Sequence, residues 1–285
     1  MKSLTAFVIS AAVSLAANAT PAIKLPTGPL YLKFSGQEQI AINKASTWTD
    51  GKEINWGVFI MSTIEKGDVD IPNDEIDPNG DIFFVNGAQK SQITGMFYGI
   101  ERGTPSATNP FPATKGYMDL YWRDLSVMSK TSLASTANGI RCGYSCAKGY
   151  TEGTFLARLM FDTGMDTGNA LNTIVGSKVP SSKGFSGVAD SYASVDMRKQ
   201  GLWSKQLDSD YFHTNLGMRD LRFKNSYNYN AKWNGKTDVL GARLDDPGQA
   251  YVLPEPGALS LFGLAGLGLI AVRRRSRATG SKAGR

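Results

Sequence analysis

Short runs of aromatic and β-branched residues, each bounded by Gly, Pro, Asn or Asp, punctuate the middle of the chain. They fall at residues 30–34, 39–43, 56–64, 81–85, 92–100, 117–122, 154–161 and 221–229. Such residues suit a pleated, half-buried surface, and the bounding residues suit turns. In 92–100, Ile93, Gly95, Phe97 and Gly99 alternate with Thr94, Met96, Tyr98 and Ile100, so both faces of that strand can be covered. Glycine is 31 of 285 residues, well above the usual ~7%. That excess favours many turns over a helical bundle. Helical periodicity is weak, and is found at 123–134, with Leu125, Met128 and Ser132 on one side, and at 195–207. The pattern predicts an all-β fold: a single β-sandwich-like domain with minor helices, decorated by loops around 66–80, 103–115 and 165–190. With 41% hydrophobic residues the chain can fill a core of that kind. No long linker and no internal repeat divides it.

The two ends carry a different signal. Lys2 precedes an apolar run over 4–17, and Ala17-Asn18-Ala19 is a small-residue exit. That order is the pattern of a secretory signal peptide, residues 1–19, cut after Ala19. It predicts an N-terminal signal helix and makes signal peptidase a processing partner. At the other end, residues 257–272 form an uncharged run of 16 residues. A spanning helix needs ~20 residues, and tilt, local thinning and snorkelling arginines narrow the gap. The arginines after the run, Arg273, Arg274, Arg275 and Arg277, stay cytoplasmic under the positive-inside rule. The expectation is a single C-terminal transmembrane helix, with the region 20–250 held outside the inner membrane as one extracytoplasmic β-rich domain. Lys2, Lys282, Arg285 and those four arginines, less Glu255, account for the whole net charge of +6. The domain between the ends is close to neutral, so the basic balance is no argument for a nucleic-acid partner.

Pro254-Glu255-Pro256, the short Gly/Leu-rich span and the Arg cluster together resemble the PEP-CTERM sorting signal. The resemblance covers residues 251–278, with the motif at 254–256, the span at 257–272 and the basic end at 273–277. The tail after Arg277 is longer than such tags usually have. The resemblance implies a Gram-negative host that makes exopolysaccharide and an exosortase, a membrane cysteine protease, that recognises the motif. It also implies a mature protein transiently anchored in the inner membrane, then placed at the cell surface or released to the extracellular biofilm matrix. For the central domain no family resemblance is found.

Within the domain, Cys142 and Cys146 enclose three residues. In an exported chain these cysteines are expected to form a disulfide that fixes a local turn. Asp77, Asn79 and Asp81 match the first three alternating ligands of a calcium loop, but Ile82 and Ala88 stand where such a loop wants Gly and Glu. The alternative is a solvated turn at Asp-Pro-Asn-Gly. Residues 159–164 resemble the Asp-Thr-Gly motif of aspartic proteases, repeated at Asp166. Two aspartates four residues apart in one loop do not make a facing dyad, so a strand-exit turn is expected there. Tyr227, Tyr229 and Trp233 lie among amides in a segment suited to sugar rings, or to the inner face of a strand. His213 is the lone histidine, and no phosphate loop, nucleophile elbow or metalloprotease motif occurs. The sequence therefore points to a non-enzymatic surface protein with no required cofactor, associated with extracellular polysaccharide. A calcium- or carbohydrate-binding module and a hydrolase of matrix polymers are the alternatives.

Overall fold

In the computed structural model, residues 23–41, 52–70, 74–133, 147–181, 184–234 and 239–254 are described. The predicted signal peptide with Ala17 and Ala19, both cysteines, and all of the sorting segment after Pro254 lie outside them, Glu255, Pro256 and the four arginines included. Among the described residues no helix is long and apolar enough to cross a membrane.

The strands are β1 (Gly28–Ala41), β2 (Glu53–Asp70), β3 (Glu75–Val85), β4 (Ser91–Arg102), β5 (Ala113–Asp124), β6 (Thr154–Asp162), β7 (Ile174–Ser181), β8 (Gly184–Val195), β9 (Phe212–Thr214), β10 (Gly217–Arg219), β11 (Leu221–Tyr229) and β12 (Val239–Val252). Among the described residues one short α-helix, α1 (Ser204–Leu207), precedes β9. The mainly β expectation holds, and the layering differs from it. Eight strands follow the order β1-β12-β11-β8-β6-β5-β4-β2, and β2 pairs again with β1. Every pairing on this path is antiparallel. The sheet therefore closes on itself as a barrel and has no two facing layers. β3 extends the far half of β2, and β7 pairs with β8 outside the circuit. Closure removes the exposed edges that an open sheet must protect. A register shift at Lys33/Phe34 lets β1 and β2 bend across the seam.

Alternation along β1 fills the interior. Leu30, Leu32, Phe34, Gly36, Glu38 and Ile40 point one way, and the first three are at most 4% exposed. Opposite them sit Phe59 and Met61 from β2, Phe97 from β4, Leu120 from β5, Leu159 from β6 and Phe223 from β11. Phe34 meets Phe59 edge to face at 5.2 Å. Rings of this size fit because glycines stand beside them. A Cβ on Gly95 would lie 2.3 Å from the Phe59 ring, and one on Gly57 would lie 2.3 Å from the Phe97 ring. A smaller cluster, Trp56, Val58, Ile60 and Met96, occupies the opposite side of β2 and β4. Ala147 and Tyr150 cover it, and Thr94 donates to the Tyr150 carbonyl at 2.7 Å.

One pole of the barrel is filled. Buried Trp203 donates its indole N–H to the Ile23 carbonyl at 2.8 Å. Gln206 donates to the Leu25 carbonyl, and its own carbonyl accepts from the Leu253 amide at 2.8 Å. The turn carrying α1 thus ties the first and last described segments together beneath Leu30 and Val252.

Both helices read from the sequence are corrected. Residues 123–124 end β5, and Asp124 then accepts from the Ser126 amide and hydroxyl in a local turn. Residues 195–207 begin as the end of β8, turn at Asp196, and reach helix only at α1. The loop expected at 66–80 is largely a β2–β3 hairpin arm, and that at 165–190 contains β7 and much of β8. The loop expected at 103–115 is one up to Pro112.

Candidate functional site: a cavity in the open pole of the barrel

The other pole holds a cavity of about 360 Å³. It lies at the low end of the ~300–1,000 Å³ usual for small-molecule sites. Strand ends from all around the barrel contribute: Ile40 and Ala41 from β1, Ile54 from β2, Phe97 and Ile100 from β4, Met118 from β5, Phe161 from β6, Phe185 from β8, Tyr227 from β11 and Leu244 from β12. The wall is apolar and aromatic, with Phe185 against Tyr227 edge to face at 5.8 Å. Pro105, Pro110, Phe111 and Pro112, in the β4–β5 loop, and Ile174, Gly176 and Lys178, on β7, form its outer side.

That outer side is held by a buried polar knot. Asp166 is 4% exposed and accepts from Asn109 Nδ2 and Asn172 Nδ2, each at 2.8 Å, on one oxygen. Its other oxygen accepts the amides of Gly168 and Asn169. Asn109 also donates to the Ile174 carbonyl and accepts from the Gly176 amide, and Asn172 clasps both backbone groups of Thr104. Burial raises the Asp166 pKa, but the donors of Asn172, Asn109, Gly168 and Asn169 outweigh it and hold the carboxyl below its ordinary value. Asp162 has other partners, accepting from the Thr163 amide and Ser194 hydroxyl, with Arg219 at 3.3 Å. The repeated Asp-Thr-Gly therefore builds a loop anchor and a strand exit, in line with the turn reading.

Polar groups in the cavity wall are few. Glu38 is 4% exposed, and one of its oxygens accepts from Asn55 Nδ2 at 3.0 Å. Its second oxygen has no partner among the described residues, nor has Asn55 Oδ1 or Asn225 Oδ1. Burial pushes the Glu38 carboxyl up to about 7, against the pull of the Asn55 hydrogen bond. Burial and then the nearby Glu38 push the Tyr227 phenol up to about 12, and its hydroxyl donates to the Ser177 carbonyl at 2.6 Å. Among the described residues the cations Arg102 and Lys178 reach the wall, the latter over the rings of Phe185 and Phe111 at 5.1 and 5.7 Å.

The candidate residues drawn from the sequence are not gathered here. Tyr227 faces the interior, and Tyr229 tilts against Phe185 at 6.3 Å. Trp233 is 6% exposed, packs on Gly241, and accepts from Gln39 through its carbonyl. These three rings make no shared open platform, the arrangement that the strand reading implies. Asp77, Asn79 and Asp81 lie in β3, opposite β2. Asn79 donates to Asp68 and accepts the Asp81 amide, while Lys66 pairs with Asp81 at 2.6 Å. Among the described residues, no group of three or more His, Cys, Asp or Glu side chains is placed to hold a metal. Pro254 is exposed, just beyond β12.

Sequence reasoning missed Glu38. The signal was available: Glu38 falls on the same alternating face of β1 as Leu32, Phe34 and Ile40. Asn55 and Asn225 have no such local mark, since the barrel alone unites them. No family model matches the chain, and neither the curated proteins nor the solved structures include a similar one.

Proposed function

We propose that this chain is an exported protein, sorted through its C-terminal PEP-CTERM signal to the cell surface or extracellular matrix, where its barrel binds a small, mainly apolar ligand. The observation that carries the binding reading is the cavity, apolar in its wall, bounded by rigid strand ends and capped by loops pinned on Asp166. Binding without catalysis fits its chemistry. Among the described residues Glu38 is the one carboxylate in the wall, whereas hydrolysis of a glycosidic polymer ordinarily employs two facing carboxyl groups. The exopolysaccharide matrix is then where the protein works, with exosortase and signal peptidase as its processing enzymes.

Two measurements test this. Native mass spectrometry of the protein isolated from its host should reveal a co-purifying small molecule, and Ala189→Trp, which fills the cavity from β8, should lose it while keeping the far-ultraviolet dichroism of the wild type. A wild type with no bound mass and no affinity for apolar probes would sink the binding reading. Intact mass with and without the exosortase should show loss of residues 1–19 in both strains, and loss of the segment beyond the motif only where the enzyme is present. Retention of residues 257–285 in both strains would overturn the sorting reading.

A further inference from the structure

The cavity's few polar atoms say what kind of head group it takes. Glu38 is a buried carboxyl whose hydrogen-bonding partner is a neutral amide, Asn55. Its second oxygen, Asn55 Oδ1 and Asn225 Oδ1 are all acceptors, and all lack a donor among the described residues. Buried acceptors are ordinarily satisfied, and a group of three in one cavity wall calls for a donor from elsewhere. Glu38 shares this wall with Asn55 on β2, Asn225 and Tyr227 on β11, and the cations Arg102 on β4 and Lys178 on β7. Tyr227 spends its hydroxyl proton on Ser177, and Lys178 sits over the rings of Phe111 and Phe185. Burial dominates the Glu38 carboxyl and the Asn55 hydrogen bond opposes it, and among the described residues no cation forms an ion pair with it. The remainder of the wall is aromatic, and ring faces attract cations.

We propose that the cavity binds a small hydrophobic amine, its ammonium group donating to Glu38 and the neighbouring amide oxygens and its apolar body lying among Phe97, Phe161, Phe185 and Tyr227. This rests on the ligand-binding reading above and gives it a chemical class. An ammonium brings three donors and a positive charge to a site with unpaired acceptors and an uncompensated acid. On binding at neutral pH, the protonated fraction of Glu38 gives up its proton to solvent and forms an ion pair with the ligand.

The test is calorimetric titration of the full chain with three probes of one shape: 4-phenylbutylamine, 4-phenylbutanol and 4-phenylbutyrate, at pH 6 and pH 8. The amine should bind at least tenfold more tightly than either counterpart at pH 8, with a smaller margin at pH 6. At pH 7, titration in buffers of different ionisation heat should show about half a proton released by the amine and none by the alcohol, given a carboxyl that titrates near neutrality. In Glu38→Gln the amine should lose its margin while the alcohol still binds. The proton count on the wild type stands even where that variant folds poorly. Alcohol or carboxylate binding as tightly as the amine, or an amine margin that survives in Glu38→Gln, overturns the head-group assignment and leaves the cavity reading intact. Failure of all three probes removes both.

Discussion

Glu38 is a residue that the barrel holds at some cost. A carboxyl whose pKa rises on folding binds its proton more tightly in the native state. Below the unfolded value near 4.5 both states are protonated and the difference vanishes. As pH rises from there towards about 7, the unfolded chain ionises first and stability falls, and above about 7 the loss is constant. The shift corresponds to roughly 3 kcal/mol. In denaturant titrations from pH 4.5 to 8, Glu38→Gln should flatten that decline relative to the wild type; parallel profiles would show that burial does not control this group. Gly95 makes the opposite point about space. Its Cβ would fall 2.2 Å from the Asp119 carbonyl as well as against Phe59, so backbone must move. Gly95→Ala should cost about 1–3 kcal/mol, read as a lowered denaturation midpoint at unchanged slope.

At the scale of elements, the strands rich in large residues were legible, and those rich in small ones were not. β2, β4, β5, β6 and β11 all follow runs of Val, Ile, Phe, Tyr or Trp that the pattern identifies. β7 and β8 break up their Ile, Val, Phe and Tyr residues with Gly, Ser, Ala and Pro, and they become strands through pairing with each other and, for β8, with β6 and β11. β12 contains Asp245-Asp246-Pro247-Gly248, which locally reads as a turn. Tertiary packing overrides that reading: Gly248 has the rings of Phe34 and Phe223 on either side. The cavity's cap was illegible for a related reason, since Asn109, Asp166 and Asn172 come together only when two loops meet. Asp166→Ala leaves one buried N–H of each of the Asn109 and Asn172 amides without an acceptor and should cost on the order of 2–4 kcal/mol. Its effect should concentrate in the cap, as faster hydrogen exchange at the amides of Gly168, Asn169 and Gly176. Because the Asp166 carboxyl is held below its ordinary value, its stabilisation is present above that value and is lost as pH falls through the lower native one. The same amides should therefore lose protection on acidification, and acid-insensitive protection would count against the anchor.

For the whole molecule the decisive contact is the seam between β1 and its two neighbours. β1 pairs along its full length with β12, from Gly28 opposite Val252 to Ala41 opposite Val239. No local pattern announces a pairing between strands so far apart in sequence, and so the alternation that identified the strands did not choose between a sandwich and a barrel. Pro29 and Tyr251 face each other across this seam. Residues so paired lie within the Cα separation that a disulfide spans. The double variant Pro29→Cys, Tyr251→Cys should cross-link on oxidation, seen as a linked peptide by mass, and should raise stability by about 2–4 kcal/mol. Failure to cross-link in the folded protein would mean that the barrel is open at that point.

The same seam sets a direction in space. The turn carrying α1 fastens Ile23, Leu25 and Leu253 at one pole, and the cavity occupies the other. Both routes by which the chain leaves the barrel therefore depart from its sealed base. Under the proposed sorting, a tether beyond Pro254 would join the protein at this base like a stem to a cup, with the cavity at the far end.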